Sequence, residues 1–513
     1  MCSAANRAGS CRMLCLGLFL INLEITIVST AQVSITDEFD AFSQGSWIIT
    51  AYLITYISGI VIWAKLSDLF GRKLVVLALL IFTAFSGGCA AAQTMVQLIV
   101  CRALQGIGGA GTYSLSILIY YELVPSGKYP MYTAISTSVI ALATCLGPLL
   151  GGVITERASW RWVFLMNVPP GVITAAILFL TIPFNFPHQG RPDMHDQRSI
   201  RSTKAVDFPG VFLMLAALAL IITGFEQAAS LLTWTSATVL APICISVCLW
   251  GAFLFAEWRA SRPSSRTEPM FPWRFAQNRV MIGLILMSLT TGSVMVTCIF
   301  QLPIRYQVVG GLDPLEAGVR LIPISACGPL GASIGAVFAR NERIPPLYLA
   351  FAGELMQIIG LVVLSQGTAD NPEWHGGIYA IEVVTGLGFG LCIASATLLT
   401  PFIVGKKDLA VGSATPVQFR FLGSAMLVSI VTAVGNRFVR DGLLSSGMLA
   451  PAQIAAIFES SATIDALPGN LQALVRGYFI EGFNLQMRIT LGLAVASVFC
   501  TAIMWQKTQI RCP

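Results

Sequence analysis

Three carboxylates lie deep inside apolar runs of the sequence: Glu24, Glu354 and Glu382. An ionised group at that depth is costly unless it has a partner or a task. A desolvated carboxyl group can also gain and lose a proton near neutral pH, which is the chemistry that proton coupling needs. We therefore predict these three residues as proton-coupling candidates. The alternative for each is a fixed ion pair or hydrogen bond without a role in transport.

Arg102, in the segment CRALQGIGGAG, is a cation about two turns inside another apolar run. Such an arginine must face protein or water and find a partner, or extend toward the membrane surface. Gly106, Gly108 and Gly111 fit the nucleotide-binding pattern G-x-G-x-x-G, but no strand precedes them, so we reject that function. Small residues here instead indicate close approach of neighbouring helices.

The segment AKLSDLFGRK predicts a tight turn between two apolar runs. Gly71 permits the turn, and Asp68 can accept hydrogen bonds from the free N–H groups where the next helix begins. Arg72 and Lys73 can form ion pairs across a helical bundle. We group Asp68, Arg72 and Lys73, together with Arg102, as a candidate charge network. The alternative is a solvated loop that obeys the positive-inside rule.

The segment GPLLGG predicts a kinked helix with a flat face. Pro148 removes a helix hydrogen bond, while Gly147, Gly151 and Gly152 allow a neighbouring helix to come close. In WRWVFLMNVPPG, the aromatic residues and the arginine indicate an anchor at the membrane surface, and Asn167 lies beside a Pro-Pro-Gly break that can border a cavity.

The segment INLEITIVSTAQ places two polar features on one helix. Asn22, Thr26 and Ser29 share a stripe, and Glu24 lies on nearly the opposite side. Either the stripe lines a cavity and Glu24 faces a neighbouring helix, or the reverse holds. Five residues are candidates for lining the cavity: Asn22, Thr26, Ser29, Gln105 and Asn167.

The elements that carry these residues are predicted to span a membrane. Of the 513 residues, 55% are hydrophobic and only 11% are charged, too few charges to cover a soluble surface. Fourteen apolar runs are each long enough for a membrane helix. They lie at about 13–34, 46–64, 74–92, 97–119, 131–154, 162–182, 208–226, 236–256, 280–300, 316–338, 346–366, 377–400, 410–434 and 487–505.

Charged connections alternate with nearly uncharged or acidic ones, and this alternation predicts the topology. Lysine and arginine residues concentrate in the even-numbered connections, which places those connections and both termini in the cytoplasm. The net charge of +6 therefore reports orientation rather than affinity for nucleic acid. We expect an integral membrane protein, in the plasma membrane or alternatively a vacuolar or vesicular one, that functions as a monomer.

Together these segments resemble the major facilitator superfamily and, within it, the fourteen-span drug:proton antiporter branch, especially fungal efflux pumps for toxins and secondary metabolites. The resemblance covers the hairpin, the fourth-span arginine motif, the WRW segment and the later segments FQLPIRYQVVGGLDPLEAGVRLIP and QFRFLGSA. It also covers GPLLGG, whose Gly147, Pro148, Gly151 and Gly152 match the antiporter motif of the family. The hairpin departs from the family pattern at Ala64 and Leu69. In the first span, the aspartate of the family pattern is replaced by Glu24.

The resemblance implies an all-α fold of two six-helix bundles with two inserted helices, giving fourteen spans that alternate access to a central cavity. It also implies that the charge network around Asp68 gates the inner side of the cavity. The implied energy source is a proton gradient, with no cofactor and no metal. The implied parts are an N-terminal bundle at 1–182, a cytoplasmic linker at 183–207, inserted spans at 208–256, a second linker at 257–279, and a C-terminal bundle at 280–513 with a long extracellular loop at about 435–486. Within that loop, AQIAAIF and LQALVRGYFIEGF predict either amphipathic helices on the membrane surface or a packed extracellular cap.

The leading hypothesis is proton-coupled export of small amphipathic compounds, such as a secondary metabolite, toxin or drug. One alternative is a proton-coupled importer of a siderophore-like compound, and a less favoured one is a membrane sensor that does not transport. An enzyme is disfavoured because the three histidines form no constellation with a nucleophile. An ATP-driven pump is disfavoured because no G-x-x-x-x-G-K-[ST] motif is present.

Overall fold

The apolar runs form long helices in the computed structural model. It describes residues 4–39, 45–183, 186, 207–231, 234–262, 269–312, 314–340, 343–367, 377–405, 408–459, 464 and 467–511. Within these residues the secondary structure is helical, without a strand, so the predicted all-α fold is confirmed. The predicted linker at 183–207 lies outside the described residues except for 183, 186 and 207.

The first half of the chain contains seven α-helices among the described residues. They are α1 (Ala4–Glu38), α2 (Gly45–Phe70), α3 (Leu74–Ala90), α4 (Met95–Leu123), α5 (Tyr129–Arg157), α6 (Arg161–Leu165) and α7 (Val168–Thr181). The turn between α2 and α3 contains Gly71 at a φ of 96°, a conformation that favours glycine. We call the end of the molecule that carries residues 71–73 the hairpin end.

The rest of the described chain continues the same pattern. Its helices are α8 (Phe208–Leu231), α9 (Ala237–Ala260), α10 (Trp273–Gln277), α11 (Arg279–Val308), α12 (Pro314–Arg320), α13 (Ile322–Ala339), α14 (Pro346–Leu364), α15 (Gly377–Ile403), α16 (Leu409–Ser446), α17 (Pro451–Glu459) and α18 (Gly469–Ile503).

Twelve segments of the described chain are long and apolar enough to cross a membrane. They correspond to the predicted spans except the third and fourth. Helix α3 has only 17 residues, and α4 carries the polar and glycine-rich segment CRALQGIGGAGTYS. Both helices nevertheless pack among the others, α3 against α4 and α4 against α2. The fourteen-span topology stays a prediction.

The helices pack as two groups joined along two seams. In the first group α1 packs on α5 and α2 on α4; in the second, α13 and α14 pack on α15, and α11 on α16. The seams are formed by α2 with α16 and by α5 with α13, while α8 lies against both helices of the first seam. Helix α8 also packs against α9, so the inserted pair is attached to both groups.

Several contacts close the two groups against each other near the hairpin end. The hydroxyl of Tyr121, at the end of α4, donates to the carbonyl oxygen of Thr397 on α15 over 2.9 Å. Tyr129 packs against a small cluster of Ala339, Leu349 and Leu398 from the second group. Tyr121 and Tyr129 therefore join the two groups at the hairpin end.

The region around 435–486, predicted as a long connection between the last two spans, contains further helices. Helix α16 continues to Ser446 and α18 begins at Gly469, so much of this interval is helical. The extension of α16 buries Val439 and Leu443 against Ile454 and Ile457 of α17 and against Val475 of α18. These apolar contacts form a packed cap, which is one of the two arrangements that the amphipathic sequence allowed. They also explain why the helices extend beyond the apolar runs.

Candidate functional site

Glu24 lies in the interior of the first group of helices and is fully buried. Its Oε1 atom accepts a hydrogen bond from Nη1 of Arg102 over 2.6 Å, which is also an ion pair. Its Oε2 atom accepts from Nδ2 of Asn167 over 2.5 Å. Three elements therefore meet at this carboxylate: α1, α4 and the junction between α6 and α7.

Arg102 has further partners on α2 and α4. Its Nε donates to the carbonyl oxygen of Ile48 over 3.0 Å, and Nη1 also donates to Oε1 of Gln105 over 2.8 Å. The guanidinium lies over the ring of Tyr52, 4.3 Å from the centroid. Each of these groups stabilises a cation, so Arg102 keeps favourable contacts when Glu24 is protonated and neutral.

The glycines of α4 bring the surrounding helices close enough to build this site. A Cβ atom at Gly106 would lie 2.4 Å from the carbonyl oxygen of Tyr52, and one at Gly108 would lie 2.3 Å from the backbone nitrogen of Phe82. Neither backbone can move away cheaply. The G-x-G pattern therefore supports packing of α2, α3 and α4, as the sequence indicated, and places Tyr52 beside Arg102.

The glycines of the GPLLGG motif pack against the helix that carries Glu24. A Cβ atom at Gly147 would lie 1.9 Å from Oγ1 of Thr26, and one at Gly151 would lie 2.5 Å from the carbonyl oxygen of Ile27. A Cβ atom at Gly152 would meet nothing described within 4 Å. Helix α5 continues through position 148, although the side chain of Pro148 lies outside the described residues.

The polar stripe of α1 has mixed surroundings. Asn22 is buried and its Nδ2 donates to the carbonyl oxygen of Leu18, one turn earlier on the same helix. Thr26 is half-buried and contacts α5 at Gly147, and the side chain of Ser29 lies outside the described residues. Gln105 and Asn167 belong to the Glu24–Arg102 cluster. Cavity lining by these five residues stays a prediction.

A second charge cluster lies at the hairpin end. Arg72 forms ion pairs with Asp68 over 2.8 Å and with Glu122 over 2.5 Å, and its Nη1 donates to Oγ of Ser67. Lys73 lies over the ring of Phe179, 4.2 Å from the centroid. The predicted network is thus divided between two clusters, since Arg102 belongs to the Glu24 cluster.

Glu122 is the member of the hairpin cluster that the sequence reasoning missed. The available signal was an acidic residue at the end of the fourth apolar run, beside the cationic hairpin. Glu122 and Arg102 lie 20 positions apart on α4, which corresponds to about 30 Å along a helix. The two clusters therefore lie near opposite ends of this helix.

The two other predicted carboxylates lie in the second group of helices and contact neutral donors. Oε1 of Glu354 accepts from the hydroxyls of Ser497 and Thr501 on α18, each over 2.6 Å. Oε1 of Glu382 accepts from the hydroxyl of Tyr306 over 2.6 Å. Both residues are buried, and neither forms an ion pair within the described part of the chain. Of the three candidates, only Glu24 forms a described ion pair with a cationic side chain.

The end of α1 opposite the hairpin is fixed by the WRW segment. Oε1 of Glu38 accepts from Nη1 of Arg161 over 2.7 Å, and its Oε2 accepts from Nε1 of Trp160 over 2.6 Å. The hydrogen bonds from Arg161 and then from Trp160 lower the pKa of Glu38 below its usual value. This pair is largely exposed, so it positions α1 with little contribution to stability.

Comparison with known proteins places this arrangement in a family. The sequence profile of the Major Facilitator Superfamily matches residues 14–237. The MFS-type transporter FPY5 of Fusarium mangiferae is 37% identical over 503 residues, which cover 98% of this chain and 84% of that protein. The chain belongs to the major facilitator superfamily. This confirms the family that the sequence motifs indicated.

Other members of the superfamily agree with this assignment. The efflux pump roqT of Penicillium rubens is 27% identical over 507 residues, covering 97% of this chain and 90% of that protein. The structure of the proton:xylose symporter XylE matches with a TM-score of 0.59 at 14% identity, covering 98% and 96% of the two chains. That structural likeness shows the fold alone. As a member of this superfamily, the chain is an integral membrane transporter and not an enzyme.

Proposed function

We propose that this transporter exports small amphipathic organic compounds in exchange for protons, and that Glu24 carries the proton. The observation that carries the proposal is the geometry of the Glu24–Arg102 pair. The carboxylate is fully buried and ion-paired, while the arginine retains neutral acceptors on α2 and α4. A pair of this kind can open when the carboxylate is protonated, without leaving the cation unsolvated.

Protonation of Glu24 would change the forces on α1. The ionised carboxylate accepts one charged and one neutral hydrogen bond, whereas the neutral acid loses most of its attraction for Arg102. Leaving a buried charge without its partner costs about 3–5 kcal/mol. The contacts of Arg102 with Ile48, Gln105 and Tyr52 offset part of that cost, which makes both protonation states accessible.

The glycine contacts connect the helix that carries Glu24 to the seam between the two groups of helices, so a movement of α1 can reach that seam. Thr26 and Ile27, within one turn of Glu24, contact Gly147 and Gly151 of α5. Helix α5 in turn forms a seam with α13 of the second group. A shift of α1 on protonation would therefore move a helix of the seam, which is the movement that alternating access requires.

The charge distribution supports an orientation in the membrane, and the names of the relatives support export as the direction of transport. By the positive-inside rule, the hairpin end with Arg72 and Lys73 faces the cytoplasm. The contacts of Tyr121 and Tyr129 join the two groups at that end, which supports a closed inner side in this arrangement. Fungal relatives that cover nearly the whole chain are named efflux pumps, which supports export over the importer alternative.

Transport in inside-out membrane vesicles tests the proposal. The probes are two fluorescent amphipathic dyes of opposite charge, anilinonaphthalene sulfonate and tetramethylrhodamine ethyl ester. We expect the wild-type protein to accumulate at least one dye when the vesicle interior is acidified, and an uncoupler to abolish accumulation. Glu24→Gln should lose gradient-driven accumulation, whereas Glu316→Gln, at an exposed position of α12, should retain it. Accumulation that persists with the uncoupler would exclude proton exchange.

A further inference from the structure

Arg420 lies on α16 at the seam with the first group of helices, away from both charge clusters. It is half-buried, and its Nη2 donates to the hydroxyl of Tyr113 on α4 over 3.1 Å. The bond joins the two groups of helices directly. A glycine of α11 provides the space for the arginine: a Cβ atom at Gly292 would lie 2.6 Å from Cγ of Arg420 and 2.4 Å from its carbonyl oxygen.

Arg420 has no carboxylate within ion-pair distance among the residues that the structure describes. The buried arginines of the two clusters differ in this respect, since Arg102 is paired with Glu24 and Arg72 with Asp68 and Glu122. A guanidinium carries five N–H donors, and one of those of Arg420 is used by a described acceptor. An ionisable residue inside a membrane segment usually faces the bundle interior or a water-filled cavity and is a candidate for a functional site, such as a substrate pathway.

A cluster of aromatic side chains from both groups lies beside this cation. The ring of Phe421 lies 5.3 Å from that of Tyr56 and 5.9 Å from that of Tyr113, in edge-to-face arrangements. The guanidinium of Arg420 lies 5.3 Å from the centroid of Phe421. The hydroxyl of Tyr56 is buried, and no described group forms a hydrogen bond with it.

We propose that Arg420, Tyr56, Tyr113 and Phe421 form a substrate subsite for the acidic group of an anionic aromatic compound. This inference rests on the proposed export function and specifies the class of its substrate. The guanidinium would bind a carboxylate, sulfonate or phenolate oxygen through its unused donors, and the hydroxyl of Tyr56 would supply another donor. The rings would contact the apolar body of the compound. A cationic compound would be repelled by the arginine.

The subsite lies where a substrate would contact both groups of helices at once. Tyr56 and Tyr113 belong to α2 and α4, whereas Arg420 and Phe421 belong to α16. Binding of an anion would replace or extend the hydrogen bond between Arg420 and Tyr113, which holds the groups together in the absence of substrate. Substrate binding and closure of the seam would therefore use the same side chains.

Equilibrium binding to the full-length protein in lipid nanodiscs tests this assignment without a proton gradient. The probes share one ring system and differ in charge: naphthoate, naphthylmethanol and naphthylmethylammonium at neutral pH. We expect naphthoate to bind the wild-type protein about tenfold or more tightly than the neutral alcohol, the range of a charge-assisted hydrogen bond. The ammonium compound should bind more weakly than both.

Variants assign the preference to the arginine. Arg420→Gln should abolish the preference for naphthoate, and Arg420→Lys should retain part of it. Arg440→Gln, at an exposed position of the same helix, is the matched control and should behave like the wild-type protein. Tyr56→Phe, which keeps the ring, should weaken naphthoate binding more than naphthylmethanol binding. Size-exclusion profiles show whether each variant remains folded.

Two results would overturn the subsite. The first is equal binding of naphthoate and naphthylmethanol to the wild-type protein. The second is an unchanged naphthoate preference in folded Arg420→Gln, which would make Arg420 a seam residue without a role in substrate recognition. Failure of proton exchange would show separately, as dye accumulation in vesicles that resists an uncoupler, because the binding measurement uses no gradient.

Discussion

The contact between α1 and α5 gives the sharpest prediction about how the Glu24 site is connected to the rest of the protein. A Cβ atom at Gly151 would lie 2.5 Å from the carbonyl oxygen of Ile27 and 2.2 Å from Oγ1 of Thr30. The threonine can rotate, but the backbone of α1 cannot. In Gly151→Ala the helices must separate by at least about 0.5 Å before this contact reaches 3.0 Å, the shortest separation that real Cβ atoms show.

We expect this separation to cost about 1–3 kcal/mol, the usual range for overpacking in a well-packed interior. The substitution Gly152→Ala, at the next position, meets nothing described within 4 Å and serves as the matched control. Gly151→Ala should lower the thermal midpoint of the purified protein by about 1–3 °C relative to Gly152→Ala, because the entropy of unfolding scales with the 513 residues of the chain and gives about 1 °C per kcal/mol. It should also slow gradient-driven dye transport, because α5 carries the movement of α1 to the seam.

Fluorescence-monitored melting and vesicle transport measure the two effects on the same preparations. The control also has an alanine on α5, so a difference between the variants reports the contact and not the change of residue type. Equal melting and equal transport in Gly151→Ala and Gly152→Ala would refute the close approach of the helices. Reduced stability with wild-type transport would refute the route from Glu24 through α5.

Three further predictions concern the other carboxylates. Glu122→Gln removes the strongest partner of Arg72, so we expect a slower transport cycle with nearly unchanged substrate affinity; a large loss of affinity at normal turnover would contradict this gating role. Glu354→Gln keeps an oxygen that accepts from Ser497 and Thr501, so stability and proton-driven transport should persist. Loss of proton coupling in this variant would instead assign the proton-carrying role to Glu354. The pKa of Glu38 is lowered in the folded protein, so the contribution of this residue to stability is present above the ordinary glutamate pKa and is lost as the pH falls below that pKa. This contribution is less than about 1 kcal/mol, and thermal melting of Glu38→Gln at different pH values should lack it. The same pH dependence of melting in Glu38→Gln and the wild-type protein would exclude the contribution.

Most helices could be predicted from the sequence because each membrane helix corresponds to one continuous run of apolar residues. The runs at 208–226 and 346–366, for example, match α8 and α14 to within a few residues. The interval 435–486 was harder to interpret because its helices are stabilised by contacts among α16, α17 and α18, such as Leu443 with Ile454. Contacts between separate helices leave no periodic signal in the segments that carry them.

In the candidate site too, the sequence indicated what each residue needs but not which distant residue provides it. The sequence indicated that Glu24 and Arg102 each need a partner, because each is a charge in an apolar run. It did not show that they partner each other, since 78 positions separate them. Of the two orientations left open for α1, the structure has Glu24 facing α4 and the α6–α7 junction. Glu122 was overlooked because an acidic residue at the end of a run costs little by itself.

The central claim is that Glu24 gains and loses the proton that drives export. The most direct test measures proton movement and dye movement together, in proteoliposomes that contain a pH-sensitive dye and an outward gradient of the transported probe. For the wild-type protein, probe movement should be accompanied by proton movement in the opposite direction. For Glu24→Gln, we predict probe exchange without proton movement. Wild-type proton movement through folded Glu24→Gln would contradict the account.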